Sequence, residues 1–237
     1  MSDAALPWAS GPEASRGTLR VLALAFVLRA AIFPFADNKQ GDAPMRALVA
    51  QRLALDPACA AKPRTYCQFG PLHPMLMAPL AAVDRDLPRS SRALSFAAGM
   101  LTFLPLIRLA RRLVGVARAE LAALGLAASP LHIQASTTAA SEALYLLLFV
   151  VMLERLTRAL QDDEAGLGPF AVAGALASLA AVTRYDAWLA LPATVAAAWV
   201  FARGPAGAAR TRRARGLAVF AACAAALPAA WMAWGAL

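Results

Sequence analysis

Charge is scarce in this chain of 237 residues: Asp, Glu, Lys and Arg make up 16% of it, whereas 60% is hydrophobic. Soluble domains sit nearer 45–50% apolar, and a mean hydropathy of +0.58 excludes an ordinary one. The composition is that of a polytopic membrane protein. Lysine is nearly missing, with 21 of the 23 basic residues being Arg. These arginines stand in short clusters between apolar segments, and no nucleic-acid motif accompanies them, so the net charge of +9 reads as a topology signal and not as a face for nucleic acid. With two His and three Cys at no ligand-like spacing, no metal site is assigned. Cys59 and Cys67 share a loop, where a disulfide depends on an oxidising compartment, and Cys223 reads as packing. Mid-span acids and paired discontinuous helices, which an inverted-repeat transporter would show, are absent. The first apolar segment, interrupted by Arg29, has no small-residue cleavage site and reads as a retained signal anchor.

The apolar segments cover 19–35, 93–107, 121–133, 143–153, 170–182, 187–202 and 217–237. With their flanks, most reach the roughly 17–20 residues that cross a bilayer as helix. The stretch 71–83 holds three prolines, and its length as helix, about 20 Å, falls short of a core of about 30 Å. Reading it as a surface helix puts the arginine clusters at 108–118, 155–158 and 203–215 on the inner side, as the positive-inside rule requires. The expected fold is therefore an all-α bundle of about seven transmembrane helices. Residues 1–17 form a cytoplasmic tail, 18–237 a single transmembrane domain, and 36–92 a large first outer loop with short surface helices. The chain stops after Trp231 and Trp234 without a polar tail, and the expectation is a fragment of a longer protein or a truncated gene.

In that topology Asp37, Asp42, His73, Arg92, His132, Glu142, Arg184, Tyr185 and Asp186 gather at the outer face. Acids, bases and cations on one surface are what group transfer needs. Each has a plainer role as well. Asp42 is a good N-cap for an amphipathic stretch whose apolar face is Met45, Leu48, Val49 and Leu53. Glu142 matches a helix dipole, Arg184 can snorkel, and His73 and His132 suit an interface.

The order of motifs resembles the GT-C glycosyltransferases that use polyprenyl-phosphate-linked sugars, among them the protein O-mannosyltransferases and the aminoarabinose transferases of lipid A. The resemblance rests on Gly41-Asp42, Phe69-Gly70-Pro71-Leu72-His73-Pro74, Ser91-Arg92, the 109–115 run ending in Gly115, Ser129-Pro130-Leu131-His132, Ser141-Glu142 and Thr183-Arg184-Tyr185-Asp186. It implies transfer of a sugar from a lipid monophosphate carrier to an acceptor hydroxyl, with inversion, at the outer face of a membrane, the bacterial inner membrane being the expected one. It assigns Asp42, or Asp37 in an alternative alignment, as general base. Arg184 and Arg92, supported by His73, would hold the donor phosphate, and Glu142, Tyr185 and Asp186 would organise the site. The acceptor, whether protein, lipid or glycan, stays open. So does a divalent metal, since arginine alone can stabilise a phosphate leaving group. Relatives often have an arginine where this chain has Thr137, and they continue with further spans. A non-catalytic fragment or subunit and a lipid-handling transporter are the competing classes.

Overall fold

The computed structural model describes residues 12–36, 41–66, 70–83, 87–164, 166–203 and 207–235. Within these the chain is helical, with no strand. The helices are α1 (Pro12–Ile32), α2 (Ala43–Leu55), α3 (Leu72–Val83), α4 (Leu87–Leu101), α5 (Phe103–Val114), α6 (Val116–Ala128), α7 (Pro130–Thr137), α8 (Glu142–Gln161), α9 (Gly168–Ala181), α10 (Asp186–Ala202) and α11 (Ala208–Gly235). Two short 3-10 helices, Pro57–Ala61 and Pro63–Tyr66, follow α2.

By length and apolarity two helical stretches qualify as membrane spans, Ser91–Val114 of 24 residues and Ala208–Gly235 of 28, and a third if α7 and α8, bent at 113° to each other, count as one. At 1.5 Å per residue the first is about 36 Å long, enough for a core of about 30 Å. The remaining expected spans are shorter or more charged helices. Thr102 joins α4 to α5, its hydroxyl donating to the Ala98 carbonyl at 2.8 Å.

The segment expected to span 121–133 is broken instead. Pro130 disfavours helix at the preceding residue, Ser129 is extended at ψ 118°, and α7 starts afresh with Pro130 in its first turn. Gly115, at φ 84°, adopts the left-handed conformation that reverses the chain between α5 and α6. The stretch at 71–83 is the short helix α3, whose 12 residues reach about 18 Å. On α2 the buried face is Ala43, Arg46, Ala47, Val49, Ala50 and Leu53, while Met45 and Leu48 are exposed. The expected apolar face is thus half right: small residues let α2 lie close to α3, and the two long apolar side chains turn away.

The bundle has two chemically distinct ends. At one, Arg111 Nη2 donates to Thr18 Oγ1 at 2.7 Å, Arg112 lies 3.8 Å from the buried Glu154, and Arg213 donates to Asp163 at 2.7 Å. That end collects the starts of α1, α6, α9 and α11 and the ends of α5 and α8. At the other, the Leu72 amide donates to the Val182 carbonyl at 3.2 Å and Trp231 Nε1 to the Tyr185 hydroxyl at 3.3 Å. Trp231 and Trp234 also pack against Tyr66 of the second 3-10 helix.

Small residues bring α9 against α11 in the largest core cluster. A Cβ built on Gly174 would stand 2.5 Å from the Phe220 carbonyl oxygen, and backbone cannot step aside cheaply. Gly174→Ala is therefore expected to cost about 1–3 kcal/mol through overpacking, read as a lower melting midpoint of the detergent-solubilised protein. An unchanged midpoint would show that the two helices are not in this contact.

Candidate active site

Gly41, at φ 64°, turns the chain into α2 and sets Asp42 at its start. The backbone of Asp42 opens the helix, its carbonyl accepting from the Arg46 amide at 3.0 Å. The side chain makes no cap hydrogen bond, so the capping role open in the sequence does not describe the carboxylate. Its Oδ2 instead lies 3.9 Å from Arg46 Nη2, with the guanidinium only 4% exposed and the carboxylate 53% exposed. Burial pushes the Arg46 pKa down, and the like charge of Arg184 adds to this, while Asp42, Glu142 and Tyr185 oppose it. Asp42, Arg46, Arg184 and Glu142 thus act on one another electrostatically.

Arg184 follows the end of α9. Its Nη1 donates to Glu142 Oε1 at 2.6 Å and its Nε to Asp186 Oδ2 at 2.6 Å, and Nη1 also reaches Ser141 Oγ at 3.3 Å. The fork therefore ties the first turns of α8 and α10 together, which a snorkelling arginine would not do. Bidentate geometry of this kind is specific to guanidinium.

These side chains line a cavity of about 690 Å³, whose wall includes Asp42, Arg46, His132, Glu142, Arg184 and Asp186. That volume lies in the range of small-molecule sites, roughly 300–1,000 Å³. His132 is 4% exposed. Its Nδ1 faces Arg29 Nη2, and its ring meets Phe103 edge to face at 5.6 Å. Arg29 is fully buried; its Nη1 donates to the carbonyls of Ala25 at 3.0 Å and Ala127 at 3.3 Å.

Not every residue proposed from sequence reaches the cavity. Arg92 donates from Nε to the Thr137 carbonyl at 2.7 Å and stacks 4.0 Å over the Phe33 ring, holding α7 to α4 and α1. It is not among the lining residues. His73, wholly buried on α3, is also absent from the lining. Tyr185 meets Trp188 edge to face and accepts from Trp231. Asp37 and Cys67 lie outside the described residues, so the alternative base and the pairing of Cys59 with Cys67 are not located. The Cys59 thiol donates to Asp56 Oδ2 at 2.9 Å. Among the described residues no group of three or more His, Cys, Asp and Glu gathers as a metal-binding set.

The burial of Arg29 against His132 and the place of Arg46 in the cavity wall escaped the sequence reading. The signals were present: an arginine inside the first apolar run, and an acid and a base four residues apart on one helix.

His73 makes a pH prediction. Burial, followed by the nearby charges of Arg46 and Arg184, lowers its pKa from the usual 6.5 to about 3. Between those values the unfolded chain binds the extra proton, so stability is full above about pH 6.5 and falls as the pH drops towards 3. The slope reaches about 1.4 kcal/mol per pH unit. Replacing His73 with Met is expected to flatten this acid limb in denaturant melts. An unchanged slope would contradict it.

A family model described as Dolichyl-phosphate-mannose-protein mannosyltransferase matches residues 68–234. Neither the curated proteins nor the solved structures contain a match to this chain.

Proposed function

Because this chain belongs to the dolichyl-phosphate-mannose-protein mannosyltransferase family, we propose that it is a membrane glycosyltransferase moving a sugar from a polyprenyl phosphate to an acceptor hydroxyl. The observation behind this reading is the convergence of Asp42, Arg46, Glu142, Arg184 and Asp186 on one cavity, at the end of the bundle opposite the arginine clusters. By the positive-inside rule that end faces away from the cytoplasm.

The reaction is a single displacement. The acceptor oxygen attacks the anomeric carbon from the face opposite the phosphate, the new C–O bond forms as the C1–O bond to phosphate breaks, and the configuration inverts. Asp42 takes the acceptor proton, a contribution of about 10²–10⁴ in rate; the electron pair leaves with the lipid phosphate. Half exposed and making no cap bond, the Asp42 carboxylate is free to approach an acceptor. Beside it, the Arg46 guanidinium lies 3.9 Å from Oδ2. Across the cavity Arg184 anchors Glu142 and Asp186, so that the wall keeps its shape as charge moves from acceptor to leaving group. The volume suits a sugar phosphate headgroup, and the polyprenyl tail extends from it into lipid.

The test is turnover. The purified chain in detergent or nanodiscs, given polyprenyl-phosphate mannose with a hydroxyl acceptor peptide, is expected to release polyprenyl phosphate and glycosylated peptide together. Absence of release with every acceptor class, protein, lipid and glycan, would reject catalysis by this chain.

A further inference from the structure

The cations around the cavity are not equally matched by anions. Arg184 sits between two carboxylates and Arg46 lies beside Asp42. Arg29, fully buried, has only backbone carbonyls, the Phe103 ring and His132 as partners among the described residues. A buried cation without an anion is costly, and this one is connected to the cavity through a single side chain.

The connection has a fixed polarity. A guanidinium has only donors and stays protonated, so the Nδ1 that faces it is an acceptor, and the neutral ring places its proton on Nε2. His132 Nε2 is buried and has no hydrogen-bond partner among the described residues, while His132 itself lines the cavity. Donation by Arg29 polarises the ring and strengthens the Nε2–H as a donor. We infer that Arg29 and His132 form the phosphate subsite of the cavity, with His132 donating to a phosphate oxygen of a lipid phosphate and Arg29 supplying the compensating charge through the ring. This rests on the transferase reading above and moves the leaving group away from Arg184, which positions carboxylates, to the His132 wall. No proton is transferred in binding; the hydrogen bond strengthens as the phosphate gains charge during transfer.

The chain's two histidines make the test direct. Ring nitrogen–proton spectra of the labelled protein in detergent micelles are recorded with farnesyl phosphate, farnesol or inorganic phosphate. One imidazole is expected to show a shifted Nε2–H signal with farnesyl phosphate and no shift with farnesol, and the signal should vanish in H132Q. Equal response to inorganic phosphate at the same concentration would identify a site for soluble phosphate and overturn the lipid-linked assignment. In parallel, the paired replacement Arg29→Met with His132→Phe removes both buried polar groups at once, which spares the fold an orphaned partner. It is expected to weaken farnesyl phosphate binding at least tenfold and leave farnesol binding unchanged. Retained preference for the phosphate in that variant, with an unmoved ring signal in the parent, would overturn the subsite while leaving the transferase reading intact. A parent chain that binds phosphate and alcohol alike would reject both.

Discussion

Asp42→Asn is expected to lower sugar transfer by about 10²–10⁴-fold while the chain stays folded, with a stability loss of about 0.5–3 kcal/mol. The two halves of this expectation come from one observation. The carboxylate is 53% exposed, its contact with Arg46 is long at 3.9 Å, and it makes no cap hydrogen bond. Because the guanidinium beside it is only 4% exposed, removing the charge leaves a buried cation less well compensated, and the length of the contact keeps that cost moderate. Asn keeps the shape and loses the ability to take a proton as the acceptor bond forms. Release of polyprenyl phosphate in single-turnover assays, with melting in detergent alongside, separates the outcomes. Transfer by the variant within a factor of a few of the parent would remove Asp42 from the base role.

The second large effect belongs to Arg184. Removing it as Arg184→Ala leaves Glu142 and Asp186, both partly exposed acids at 2.6 Å from the lost fork, facing each other and an anionic donor with no cation between them. A fall in kcat/KM of about 10²-fold or more is expected, in line with the cost of breaking a preorganised charge constellation. Lys in its place is expected to recover only part, because a point charge cannot span two carboxylates from Nε and Nη1 as the planar fork does. Adding Glu142→Gln to Arg184→Ala is expected to restore about tenfold by relieving repulsion. Such non-additivity is what a double-mutant cycle detects. Strictly additive losses would mean that Arg184 acts on the donor directly and not through the acids.

Part of the architecture was legible: the long apolar runs report an all-helical chain, in which two stretches, or three with the bent α7–α8 pair, are long and apolar enough to cross a membrane, and the alternation of apolar runs with arginine clusters reports two unlike ends. The short helix α3 and the grouping of Asp42, Glu142, Arg184 and Asp186 at one end followed from that alternation. What composition does not encode is side-chain direction. Arg92 and His73 share that end, yet one turns onto the Thr137 carbonyl and the other is buried on α3, and both facts depend on rotamers and packing. The break at Ser129 was written in the Ser-Pro pair but hidden by continuous hydropathy through 121–133. On α2, alanines rather than the larger Met45 and Leu48 are buried, since close helix approach favours small residues over apolar volume. Arg29 was visible only as an interruption, and its partner His132, over a hundred residues away, is found by folding alone.

The measurement that bears most directly on a lipid-phosphate transferase site in this cavity is native mass spectrometry of the detergent-purified chain, comparing the parent with Arg184→Ala and with the Arg29 and His132 double replacement. The expected result is a co-purifying or added polyprenyl phosphate, or its sugar ester, bound one to one in the parent and lost in both variants. A parent that retains no polyprenyl phosphate even after donor lipid is supplied, or variants that retain it fully, would contradict the site as described.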